Sequence, residues 1–225
     1  MTSIYRLALG DDFERLHPQI RRRFGFSSAD RIASIGTGVM ERLWHGPAYT
    51  LPFLYVGAWR HIMLPETGRN VPFTIENYAY VDHFGRETVT WLRTFKTWRS
   101  RRFDAYMIYS HRRGLIVDYL GSHQHLAVEL HLSVDEAGGL CIRSGAQRFY
   151  EGRVAFSFPL VFSGVAEVRE WYDDRAETFR IAVAVRNDRW GPLFGYAGHF
   201  QVDWRPQDPA RLPAGIRPLR EEIRE

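Results

Sequence analysis

Residues 123–150 read HQHLAVELHLSVDEAGGLCIRSGAQRFY. Two runs, His123 to Val134 and Leu140 to Tyr150, flank the cluster Asp135-Glu136-Ala137-Gly138-Gly139. In the first run apolar and polar residues alternate, the period of a strand with one face turned inward. An acidic, glycine-ended cluster between two such runs is a hairpin turn. The stretch therefore predicts two antiparallel strands in tight succession.

The pattern repeats on both sides. Phe73 to Asp82 turns at His83-Phe84-Gly85 into Glu87 to Thr97. Phe103 to Ser110 turns at Arg112-Arg113-Gly114 into Leu115 to Leu120. Val165 to Tyr172 and Glu177 to Val185 flank Asp173-Asp174-Arg175, and Phe194 to Trp204 closes the series. Short turns make sequential strands antiparallel neighbours. Nine or ten such strands predict a curved antiparallel sheet or partly open β-barrel, since a sheet of that size curls to protect its edges. A helix-grip fold is the runner-up; it needs a long C-terminal amphipathic helix that this chain lacks.

Upstream, Phe13, Leu16, Ile20 and Phe24 lie at helical spacing, with Pro18 kinking the helix or opening a second turn. Arg31 to Trp44 predicts a first strand in which Gly36 and Gly38 mark a bend or a close backbone approach. Leu51, Leu54, Tyr55, Ala58, Trp59 and Ile62 predict a bulky apolar helix within Pro47 to Leu64. The domain expectation is one β-rich unit over residues 1–205, its helical part at 10–64 and its sheet at 71–204. Residues 206–225, rich in proline and charge, are expected to form a peripheral tail.

Composition narrows the function. At 225 residues, 45% hydrophobic and 15% aromatic, the chain supports a full core. Net charge is +4, but the arginines are spread along the chain and no nucleic-acid motif accompanies them. Cys141 is the single cysteine, so no disulfide forms within the chain. The N-terminus lacks a signal-peptide pattern and no stretch is long and apolar enough to span a bilayer, so a cytoplasmic protein is expected.

Several motifs in order resemble a bacterial family. They are Leu9-Gly10-Asp11-Asp12-Phe13, Leu16-His17-Pro18, Val71-Pro72, Thr90-Trp91-Leu92-Arg93-Thr94-Phe95 and Gly138-Gly139-Leu140. Phe158-Pro159, Phe179 and Gly191-Pro192-Leu193-Phe194-Gly195-Tyr196-Ala197-Gly198 continue the series. The chain is similar over about residues 5–204 to domain-of-unknown-function family 4166. Members stand alone or are fused to saccharopine-dehydrogenase-like domains. The resemblance implies proximity to small-molecule metabolism and a dinucleotide-dependent reductase as a partner. It carries over no catalytic residues.

The expected function is binding of a hydrophobic small molecule, of acyl, polyketide or isoprenoid type, in an aromatic-lined pocket. Trp44, Phe53, Tyr55, Trp59, Tyr78, Trp91, Phe95, Tyr106, Phe194 and Tyr196 are the candidate ligand contacts, with the 47–64 helix as a lid or plug. The enzymatic alternative is a cyclase or isomerase in which positioning dominates and one inward acid or base moves a proton. Its candidates are Glu76, Asp118 and Glu129, with Arg93, on the same face as Trp91 and Phe95, as an anion binder. A third reading is metal-dependent: His123-x-His125 followed by Glu129 resembles the first cupin metal motif, with His199 or His131 to complete the set. Val117 and Glu136 stand where that motif expects glycines, and a solvent-facing strand explains the histidines more simply. No cofactor is expected; a homodimer is compatible with the sequence. A purely structural domain is the fourth reading.

Overall fold

The computed structural model describes residues 1–151, 154–157 and 163–225; the Phe158-Pro159 motif lies outside them. Among the described residues there are eleven strands: β1 Ile32–His45, β2 Gly68–Val81, β3 Glu87–Lys96, β4 Ser100–Ser110, β5 Leu115–Leu120 and β6 Leu126–Val134. They continue as β7 Leu140–Glu151, β8 Val154–Ser157, β9 Val165–Asp173, β10 Thr178–Asn187 and β11 Gly191–Pro206. Every pairing among them is antiparallel. The strands run β1 to β7 and then β9, β10 and β11, and β11 returns to β1. Ten strands thus form a closed ring, and β8 folds back on β7 outside it. The barrel is closed where a partly open one was expected, because the β6–β7 hairpin and the β1–β11 ladder leave no unpaired seam.

The close approach expected at Gly36 and Gly38 is met at the β1–β11 ladder. A Cβ at Gly38 would lie 2.1 Å from the His199 carbonyl oxygen, and one at Gly36 would lie 2.8 Å from the Phe200 ring. The register of that ladder shifts between Val39 and Arg42, which bends the long strand.

Helices close one end of the barrel. They are α1 Ile4–Leu9, a 3-10 turn at Gly10–Arg15, and α2 Pro18–Gly25. Pro18 opens α2 rather than kinking one continuous helix, with His17 capping the Gln19 amide. Ile4, Tyr5, Phe13, Leu16, Ile20 and Phe24 are buried in the interior cluster. The buried Arg23 makes an ion pair with Glu170 of β9, and its Nη1 donates to Ser34 Oγ at 2.7 Å. The other end carries α3 Leu51–Trp59. The C-terminal segment runs along the outside, with Ile216 packed against Tyr78, Leu92, Tyr106 and Tyr119. It therefore buries the outer face of β2 to β5 and makes those strands apolar on both sides. No helix among the described residues is long and apolar enough to cross a membrane.

Candidate functional site

The interior is not filled at the α3 end. A cavity of about 410 Å³ lies inside the barrel, with Phe53, Val56, Ile62 and Met63 of the α3 segment at its mouth. Its walls are side chains that strand alternation turns inward: Trp91, Phe103, Leu120, Leu126, Val128, Leu130, Val183 and Phe194 among them. Five buried polar residues interrupt this apolar lining: Arg93, Asp118, Ser144, Gln147 and Ser163, whose Oγ has no hydrogen-bond partner among the described residues.

Each has a distinct setting. Arg93 sits between Trp91 and Phe95 on β3, so the parity that buries those rings buries the guanidinium, which is 4% exposed. Its Nε donates to the Phe103 carbonyl at 3.3 Å and its Nη1 to the Tyr196 hydroxyl at 3.2 Å. It stacks 3.9 Å from the Phe103 ring centroid. All these partners are neutral. Asp118 lies between Ile116 and Leu120 on β5, and its Oδ1 has no hydrogen-bond partner among the described residues. Burial raises its pKa to about 7, while the Arg93 charge and the Tyr106 backbone amide pull the other way. Near neutrality the carboxyl is therefore partly protonated. Ser144 accepts from the Ala166 amide at 2.8 Å, and Gln147 donates to the Gly164 carbonyl at 2.8 Å, which fixes both on the wall.

The structure brings five of the sequence candidates together here: Phe53, Trp91, Phe194, Arg93 and Asp118. The others lie elsewhere. Tyr196 is interior and holds Arg93; Phe95 packs with Phe73 and Tyr196, both centroids 5.0 Å away. Tyr78 and Tyr106 are on the outer face under the C-terminal segment, and Glu76 accepts there from the Tyr78 hydroxyl at 2.9 Å. Trp44 packs over Gly195 and lines a separate open groove of about 550 Å³ with His131, Cys141 and Glu167. Tyr55 and Trp59 point away from the cavity and are exposed.

The strand expected from His123 begins only at Leu126, because Gln124 takes a left-handed backbone (φ 53°) in the preceding turn. His123 and His125 stack on each other, 5.3 Å between centroids, and His125 Nδ1 lies 3.1 Å from the Tyr150 carbonyl oxygen. Glu129 pairs with Arg113 on the outer face, and His199 lies on β11, across the ring from β6, with Glu41 3.0 Å away. Among the described residues no group of three or more His, Cys, Asp or Glu is placed to hold a metal ion.

Among the buried polar wall residues, Ser144, Gln147 and Ser163 were not singled out by the sequence reading. Simple alternation from Ser144 would put Ala146 and Arg148 inside. The register shift opposite Val128 and Leu130 moves Gln147 and Phe149 inward instead. Gly145 was the one visible signal, since an isolated glycine in a strand marks a bulge.

The fold and cavity define a closed, ten-stranded antiparallel barrel with a partly polar internal pocket, an architecture compatible with a hydrophobic ligand. The chain belongs to the family described as Domain of unknown function (DUF4166), whose model matches residues 16–200. It is also 31% identical over 206 residues to the "Uncharacterized protein YndH" of Bacillus subtilis (strain 168), covering 91% of this chain and 99% of that protein. No solved structure matches.

Proposed function

We propose that the protein binds a hydrophobic small molecule, of acyl, polyketide or isoprenoid type, inside the barrel. The observation that carries this reading is the apolar cavity of about 410 Å³ with α3 across its mouth. Its size lies within the range of small-molecule sites, which combine apolar walls with a few convergent polar groups. Arg93, bound only to neutral partners, is the group that would orient a polar or anionic end of the ligand.

Asp118 supports a second, enzymatic reading. A buried carboxyl with a pKa raised to about 7 and one unpartnered oxygen suits a proton carrier at neutral pH. In a cyclase or isomerase it would move the proton while the walls hold the folded substrate. A dinucleotide-dependent reductase is the partner the family's fusions point to.

Native mass spectrometry of freshly purified protein tests the binding reading. A co-purified small molecule is expected, and Val128→Trp, which fills the cavity from β6, is expected to lose it while staying folded. Overpacking of this kind costs about 1–3 kcal/mol. No adduct, together with no fluorescence response of an apolar probe to the wild-type protein, would refute it.

A further inference from the structure

We infer that the α3 end of the barrel docks on the surface of an anionic phospholipid bilayer. The inference stands on the outside of the molecule and does not depend on what the cavity holds.

The first observation is where the exposed apolar residues lie. Helix α3, LPFLYVGAW, is apolar on every side and buries Leu54, Gly57 and Ala58. A helix of that kind is normally enclosed. Here Val56 is 64% exposed and Trp59 80% exposed. Beside it, the Tyr49 hydroxyl donates to the Trp190 carbonyl at 2.7 Å, and the two exposed rings lie side by side. Trp98, 73% exposed, projects from the β3–β4 turn. Strand direction puts α3, the β3–β4 turn and the β10–β11 turn at the same end of the barrel. Tyr and Trp carry an apolar body and a polar tip, the combination favoured where hydrocarbon meets headgroups.

The second observation is charge, and it selects lipid over a protein partner. The fully described loops at this end span residues 45–68, 96–100, 121–125 and 187–191. They carry Arg60, Lys96, Arg99 and Arg189. Their acids are Asp188 and the buried Glu66, which is bound to Arg101. The opposite end alternates acids with arginines, for example Asp12 with Arg15 and Asp82 with Arg86. The basic character is therefore local and not the chain's overall +4 spread evenly. Aromatic side chains ringed by Lys and Arg are the complement of an anionic leaflet, which attracts such residues within a Debye length.

Cosedimentation of the full chain with vesicles tests this. Binding is expected to vesicles of equal parts phosphatidylcholine and phosphatidylglycerol, weaker binding to phosphatidylcholine alone, and release as salt is raised. Trp59→Glu and Trp98→Glu change exposed positions, so folding is retained by near-ultraviolet circular dichroism. Each is expected to lower the partition coefficient by about tenfold. Phe84→Ser, at the opposite end, is expected to leave it unchanged. Absence of binding to the mixed vesicles at low salt overturns the inference, as does equal loss in Phe84→Ser. A wild-type dimer in sedimentation velocity that Trp59→Glu dissociates, without vesicle binding, would assign the face to a second copy of the chain instead.

Discussion

Replacing Asp118 by Asn should make the protein more stable at pH 8 relative to the wild type than it is at pH 5. The carboxyl ordinarily titrates at 3.8 and is raised to about 7 by burial in the cavity wall. A folded-state pKa above the unfolded one means that the folded state binds the proton more tightly. The wild type therefore loses stability as pH rises through the window from 3.8 to about 7, and the loss is complete above it. At 1.36 kcal/mol per pH unit the full window is worth about 4 kcal/mol. Asn mimics the protonated acid at every pH and escapes this loss. Its own amide can cost about 1–3 kcal/mol if left unsatisfied, but that cost applies equally at both pH values. The difference between the two proteins, compared across pH, isolates the ionisation from Glu87 and Glu170, whose carboxyls burial also raises. Between pH 5 and pH 8 only the part of the window from pH 5 to about 7 is sampled, about 3 kcal/mol, which in a chain of this size corresponds to a melting-temperature difference of roughly 5–10 degrees. Thermal unfolding of both proteins at pH 5 and pH 8 is the assay. Parallel changes, with no gain for Asp118→Asn at pH 8, would show that the carboxyl titrates normally and would remove the basis for a proton-carrying role.

Other perturbations test the frame around the site. Glu170→Gln strands the buried Arg23 charge without its counter-ion and is expected to cost about 3–5 kcal/mol in urea unfolding; an unchanged midpoint would mean the pair is solvated. Gly38→Ala pushes a methyl group to 2.1 Å from the His199 carbonyl oxygen and 2.5 Å from Phe200 Cα. Both contacts are backbone and cannot swing away, so a loss of at least the about 1–3 kcal/mol of ordinary overpacking is expected by the same measurement.

The strand series was legible because alternation and turn chemistry are local properties. The Asp135 to Gly139 hairpin is an example: the Asp135 side chain accepts from the Ala137 and Gly139 amides at 2.9 and 2.8 Å, a bond set written into five residues. Closure was not local, since it depends on how β1 meets β11, its partner from the far end of the chain: Ile32 pairs with Pro206 and His45 with Phe194. The facing of individual residues was legible only where one side of a strand is wet. On β2 to β5 the C-terminal segment covers the outer face, so Tyr78 and Tyr106 are as buried as Trp91 and Phe103. Their sequence pattern does not say which side of the barrel wall they occupy. Arg93 shows the converse: its neighbours Trp91 and Phe95 fixed its face, but whether that face was inside or outside depended on the ring as a whole. The Gln147 bulge and the left-handed turn at Gln124 each shift parity by tertiary pairing, which single-sequence periodicity does not register.

The two ends of the barrel differ in what would have to break to open them. At the α1–α2 end, access to the interior requires separating a buried Arg23–Glu170 ion pair, a His17 amide bond to the Gly138 carbonyl at 2.9 Å, and a continuous packing of Tyr5, Phe13 and Phe24. At the α3 end the described ties to the strands flank the helix: before it the Gly46 amide to the Leu193 carbonyl at 2.7 Å, and after it the Asp104 amide to the His61 carbonyl at 3.0 Å and the His61 ring to the Asp104 carboxylate at 3.2 Å. These ties lie outside the helix itself, and Phe53 and Val56 of the helix line the cavity with apolar side chains. Apolar contact is non-directional and can be exchanged for contact with a ligand or with lipid at little net cost. An ion pair buried in the interior cannot, because separating it leaves a charge uncompensated. On the proposed binding function, a molecule entering or leaving the barrel would pass α3, the end where the exposed aromatic residues lie.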